Sequence, residues 1–117
     1  MKRSYFLYFG SNRNKEDVNA LLSQYWDIIC VAHDNYYCGC YYLYSGFYAD
    51  RLTVKDNKIA GTEEWLDEDN RHYRTLIEVT FIHGRNADKL NRCEFIKEAF
   101  AQLKIAEVIG DKCIEEI

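Results

Sequence analysis

The chain reads as an α+β fold on three observations. Short β-favouring apolar runs recur along it, two segments carry apolar residues at helical spacing, and the order is strand–helix–strand, further strands, then strand–helix–strand. Two split units of this kind with strands between them predict a ferredoxin-like antiparallel sheet with two helices on one face and an inserted β-meander. The 117 residues contain no proline, no low-complexity linker and no internal repeat. They read as a single domain, 1–117, long enough to bury a core without staples.

Residues 4–9 (Ser-Tyr-Phe-Leu-Tyr-Phe) give the first strand. A polar turn over Ser11 to Asn14 follows, with Asn14 placed to cap a helix whose third position is Asp17. Val18, Leu21, Leu22 and Tyr25 then recur at helical spacing, which predicts a helix over 15–26. Ile28 to His33 reads as a second strand, with Asp34-Asn35 as a turn. Phe47 to Val54 and Lys58 to Ala60 read as a hairpin around Asp56-Asn57. Residues 61–70 break the pattern as a loop or a single helical turn. Arg71 to Ile82 is expected as a long strand with Tyr73, Thr75, Ile77, Val79 and Phe81 on one face. Asn86 is the expected cap of a second helix carrying Leu90, Cys93, Ile96, Ala99, Phe100 and Leu103 as its apolar stripe. The tail from Ile105 to Ile117 adds one or two short strands.

The densest signal lies between Asn35 and Tyr48, where tyrosine occupies positions 36, 37, 41, 42, 44 and 48 and Phe47 adds a seventh aromatic ring. On a strand, Tyr37, Tyr41 and Leu43 share one face, and Tyr36, Cys38, Cys40, Tyr42 and Tyr44 share the other. Free cysteine favours the interior, which turns Cys38 and Cys40 towards the helices. Tyr37, Tyr41 and Leu43 are then expected on the open face, beside Phe6 and Tyr8. Tyrosine suits a binding surface because it offers rigid apolar area and a hydroxyl. The competing expectation is that the meander folds over this face and makes it core.

A net charge of −4 argues against a nucleic-acid groove unless the basic residues cluster, and along the sequence they are scattered except for Arg71 and Arg74 around His72. Such a chain more naturally meets a basic protein surface. The apolar stretch after Lys2-Arg3 is short, aromatic and followed by no small-residue cleavage site, so it reads as a strand rather than a leader or a membrane span. Five cysteines without a regular framework point to reduced thiols and a cytoplasmic protein.

The strongest electrostatic signal is Glu63, Glu64, Asp67, Glu68 and Asp69, five carboxylates in seven residues around Trp65. Their mutual repulsion is relieved by a basic partner, and an aromatic anchor ringed by carboxylates has the make-up of an interface that steers such a partner inward. A solvated acidic loop and a calcium site are the competing readings, although the spacing is not that of an EF-hand. Cys38-Gly39-Cys40 lacks the second ligand pair that zinc requires, so no metal or cofactor is expected. His33, His72 and His83 could serve acid–base chemistry, His72 with its neighbouring arginines above all, but no catalytic or phosphate-loop motif accompanies them. No catalytic residue is therefore assigned.

With the tyrosine strand and the Glu63–Asp69 segment in view, the chain resembles the immunity proteins of bacterial polymorphic toxin systems, including contact-dependent growth inhibition. The likeness is one of type: a small, acidic, aromatic-rich single domain without a catalytic motif. The resemblance implies a cytoplasmic inhibitor that binds one cognate toxin domain, often a basic nuclease, and occludes its active site. The expected interface is then Glu63, Glu64, Trp65, Asp67, Glu68 and Asp69 with Tyr37, Tyr41 and Leu43, and neither nucleic acid nor membrane is an expected partner.

Overall fold

The computed structural model describes residues 1–36 and 39–117, so Tyr37 and Cys38 lie outside the described residues. The elements are β1 (Lys2–Ser11), α1 (Lys15–Trp26), β2 (Val31–Asn35), β3 (Gly39–Tyr44), β4 (Arg51–Asp56), β5 (Thr75–Phe81), α2 (Asn86–Gln102) and β6 (Glu107–Glu116). A 3-10 turn, Glu68–Asn70, precedes β5. The strands form one open antiparallel sheet in the order β2-β3-β4-β5-β1-β6. The class is α+β, as expected, and the ferredoxin-like plan is a comparison of connectivity only. From β1 the chain runs through α1 to the far edge, returns through β2 to β5 strand by strand, and crosses β1 through α2 to the other edge. The meander thus extends the sheet in its own plane and leaves one face uncovered.

Alternation along the central strands builds the core. Tyr5, Leu7 and Phe9 of β1, Leu52 and Val54 of β4, and Ile77, Val79 and Phe81 of β5 are buried with Val18 and Leu22 of α1 and Cys93, Ile96, Ala99 and Phe100 of α2. Phe9 and Phe100 meet with ring centroids 4.6 Å apart. Full burial of each large apolar side chain contributes roughly 1.5–3 kcal/mol. Tyr42 and Tyr44 of β3 pack against this cluster from its margin.

Helix α1 starts as expected, with the Asn14 side chain accepting from the Asp17 N–H at 2.8 Å. It ends where Asp27 turns left-handed (φ 52°), and the Ile28 N–H returns to the Leu22 carbonyl. This tucks Ile28 into the core as part of the connection, so β2 begins only at Val31 and the Asp34-Asn35 step belongs to the strand. The expected cap of α2 is also different. Arg85 takes the capping position, and Asn86 instead binds the N-terminal segment, accepting from the Arg3 N–H and donating to the Met1 carbonyl.

The hairpin expected around Asp56-Asn57 does not form. Strand β4 pairs with β3 on one side and β5 on the other, and Lys58 makes a single bridge to Trp65. The reason is Asn57, which is fully buried and anchors the following loop instead of turning the chain. Strand β5 starts at Thr75 rather than Arg71, and the tail is one long strand, β6, with a bulge opposite Tyr8 and Phe9. Cys40 lies on the helix-side face of β3 but is exposed, which corrects the expectation of a buried thiol. Among the described residues Cys93 and half-buried Cys30 are the sheltered thiols, and desolvation raises both to a pKa of about 11.

Candidate functional site

Two surfaces gather the residues singled out by the sequence. The first is the loop from Lys58 to Arg74, which is built from below by Asn57. The Asn57 side chain donates to the carbonyls of Asn70 (3.0 Å) and Tyr73 (2.9 Å) and accepts from the Asp67 N–H at 2.9 Å. Its backbone N–H reaches the Arg74 carbonyl, and its own carbonyl accepts from the Leu66 N–H. A buried amide with this many partners fixes both ends of the excursion. Inside the loop, the Thr62 hydroxyl donates to the Ile59 carbonyl and accepts from the Glu64 N–H, while the Ile59 N–H donates to the Glu64 carbonyl.

The five carboxylates are not equivalent on this frame. Asp67 accepts from the Asn70 side chain, and Glu68 pairs with Arg71 at 3.1 Å. Glu63 sits 3.8 Å from Lys58 with its side chain 98% exposed. Among the described residues Glu64 and Asp69 enter no ion pair, and both are exposed. The acidic character at the surface therefore rests on Glu63, Glu64 and Asp69. Trp65 is half-buried, in a hollow of about 610 Å³ lined also by Lys58, Arg71, His72 and Arg74. Cations thus stand directly behind the carboxylates, a neighbourhood that the spacing of the acidic run did not show.

The second surface is the uncovered face of the sheet. Cross-strand partners place Val31, Leu43, Thr53, Glu78, Tyr8 and Gly110 in one row across all six strands. A neighbouring row runs Arg51, Thr80, Phe6, Lys112. Tyr41 belongs to the same face, stacked on His33 at 5.7 Å between ring centroids. Tyr41 and Leu43 are both half-buried, and Tyr37 falls outside the described residues. Gly110 provides the seat for the Tyr8 ring, since a Cβ there would lie 2.9 Å from it. The two surfaces adjoin, because Leu66 and Asp67 line a hollow of about 440 Å³ together with Tyr8, Lys55, Glu78 and Lys112.

The three histidines stand apart in the fold. His33 is on edge strand β2, His72 lies before β5 with its ring 4.2 Å from that of Tyr73, and His83 follows β5. A hollow of about 690 Å³ at the far end of β1 is lined by Arg13, Lys97, Tyr73 and Glu107, and the last three are committed to one another or to neighbours. The Tyr73 hydroxyl donates to Glu107, a bond that raises its pKa, and Lys97 is held by Asp111 and Glu94. Among the described residues no group of three or more His, Cys, Asp or Glu side chains is placed to hold a metal ion. Among them, too, no helix is long and apolar enough to cross a membrane.

Sequence reasoning missed Asn57, which reads as an ordinary turn residue, and Asp50. The Asp50 carboxylate accepts from the N–H groups of Ile82 (2.6 Å) and His83 (2.8 Å) and pairs with Arg92 at 3.1 Å. No local pattern marks either residue, because all their partners are distant in sequence. No family model, curated protein or solved structure matches this chain.

Proposed function

We propose that the protein is a stoichiometric, cytoplasmic protein-binding inhibitor of the immunity type, which neutralises a cognate basic nuclease toxin domain by occluding its active site. The observation that carries this reading is the acidic loop held rigid by Asn57. A loop whose main chain is already held loses little backbone freedom on docking, and a negative rim accelerates encounter with a basic surface. Glu63, Glu64 and Asp69 supply the rim, Trp65 the apolar anchor, and Asp67 and Glu68 hold the frame. Tyr41 and Leu43 extend the contact on the adjoining sheet face.

Co-purification with the product of a neighbouring gene that encodes a basic domain is the direct test. Replacing Glu63, Glu64 and Asp69 by their amides should slow association at low salt several-fold, as raising the salt should for the native protein. An association rate that ignores both changes rejects the loop as a steering surface. The hollow that brings His72 together with Arg71, Arg74 and Lys58 favours one second reading, a small enzyme or nucleic-acid-processing domain. Turnover by the purified protein that disappears in His72→Ala would establish it in place of the inhibitor.

A further inference from the structure

The fold concentrates cations and aromatic rings on one sheet face of a chain whose net charge is −4. Arg51 and Lys112 flank Thr80 and Phe6 in one row, and Lys55 stands two residues beyond Thr53, in the next. The carboxylate among them, Glu78, is neutralised by Lys55 at 3.2 Å. Among the described residues neither Arg51 nor Lys112 has a carboxylate partner. The Lys112 ammonium lies 5.9 Å from the centre of the Tyr8 ring, and Phe6 and Tyr8 keep part of their area in solvent. Beside Phe6 and Tyr8 is a hollow of about 240 Å³ lined by Arg51, Thr53, Glu78 and Thr80, and the 440 Å³ hollow meets it at Tyr8 and Glu78.

Thr53 supplies an independent sign of a ligand. It is only 4% exposed, it lines the smaller hollow, and its hydroxyl oxygen has no hydrogen-bond partner among the described residues. A buried polar atom left without a partner costs free energy and calls for an explanation. Unpaired cations spaced between half-exposed rings, with an unused hydroxyl, fit a ligand that alternates flat rings and negative charges. We infer that the uncovered sheet face binds single-stranded nucleic acid, with bases stacked on Phe6 and Tyr8 and phosphates held by Arg51 and Lys112. An acidic protein segment would satisfy the cations but would bring no flat rings to stack on Phe6 and Tyr8. The inference does not rest on the inhibitor reading, which uses the acidic loop together with Tyr41 and Leu43 at the other end of this face.

The test is fluorescence anisotropy with a labelled oligouridylate of about eight nucleotides at low salt, roughly 50 mM, and across a salt series. Saturable binding is expected, with a slope of about −1.4 in log affinity against log salt, since two unpaired cations each contribute about −0.7 on a single strand. Tyr8→Leu should weaken binding about tenfold or more, Tyr8→Phe should leave it unchanged, and Arg51→Gln should make the slope shallower by about 0.7. If Tyr8→Leu fails to keep the native thermal midpoint, Arg51→Gln and Lys112→Gln, which leave the core untouched, carry the test. No binding at low salt would overturn the inference, as would indifference to these substitutions. A hexaglutamate peptide that competes as well as the oligonucleotide would overturn it in favour of charge alone. Loss of binding in Arg71→Gln or Arg74→Gln, with Arg51→Gln unaffected, would move the site to the hollow around Trp65.

Discussion

Tyr5, Leu7 and Phe9 of β1 are buried under the helices, while Phe6 and Tyr8, one step along the same backbone, face outward. The same division holds on β4, where Leu52 and Val54 go inward and Arg51 and Lys55 outward. It holds again on β5, where Ile77, Val79 and Phe81 oppose Glu78 and Thr80. Both faces share every ladder hydrogen bond, so the backbone contributes equally to each. What differs is the side chain: one face carries the burial that keeps the protein folded, and the other carries rings, charges and an unused hydroxyl. Stability and recognition are divided here largely by residue parity rather than by region, with Leu76 and Thr53 the buried exceptions on the outward face.

The sharpest way to break that division is truncation on each side. Leu7→Ala should destabilise the fold by roughly 2–5 kcal/mol, because a fully buried side chain leaves a cavity the close-packed surroundings fill only in part. Tyr41→Ala, on the other face, should cost about 1 kcal/mol or less, as expected of a half-exposed residue next to the sheet's edge. Urea midpoints of the two variants test this directly, and equal losses would show that the uncovered face is core after all.

A charged group at the margin of the core comes next. Asp50→Ala should cost roughly 3 kcal/mol, since it strands the Arg92 guanidinium and two backbone N–H groups. Burial by itself would push the Asp50 carboxyl up, but the His83 N–H, Arg92 and the Ile82 N–H outweigh burial and hold it below its ordinary 3.8. The unfolded chain therefore binds the proton more readily. Asp50 contributes its full stabilisation above that ordinary value, and the contribution is lost as pH falls through the lower folded value. Urea midpoints measured from about pH 6 downward should converge for native protein and Asp50→Asn at the acid end.

Asn57→Ala should have a smaller global effect, about 2 kcal/mol, from three main-chain groups left unpaired. Its signature is local: amide exchange should accelerate over residues 58–72 while β1 and β5 stay protected. Uniform acceleration would show the loop to be part of the core's cooperative unit. The smallest effect is expected at Thr53→Val, which removes an unsatisfied hydroxyl at nearly constant shape and should be neutral or stabilising by under about 1 kcal/mol. A clear loss of stability there would mean that the hydroxyl is already satisfied in the free protein.

Much of this division could be read before any coordinates. Residue spacing sufficed for α1 and its Asn14 cap, for the stripe that buries Cys93, Ile96, Ala99 and Phe100, and for the face shared by Tyr41 and Leu43. These are local patterns with periods of 3.6 or 2. The start of β2 was missed because Ile28 is as apolar as a strand residue but is consumed by the left-handed exit from α1. Asn86 resembled a cap because nothing local reveals that Met1 and Arg3 lie across from it. The basic character of the uncovered face was invisible for the same reason: Arg51, Lys55 and Lys112 sit on β4 and β6 and become neighbours only when the sheet assembles. In the acidic loop, sequence identified the charges, whereas Asp67 and Glu68 proved to be partly spent on Asn70 and Arg71.

Asn57 carries one more implication, for how this molecule could change over evolutionary time. Each of its bonds to the excursion ends on a main-chain atom: the carbonyls of Asn70, Tyr73 and Arg74 from one side, the amides of Leu66 and Asp67 from the other. The anchor therefore recognises the path of the chain and not the letters written on it. Substitutions at the outward positions 63, 64 and 69 would alter charge and shape without disturbing that path. Such a loop behaves as an interchangeable head on a constant handle, and a lineage could retune what it grips one residue at a time while the domain beneath it stays the same.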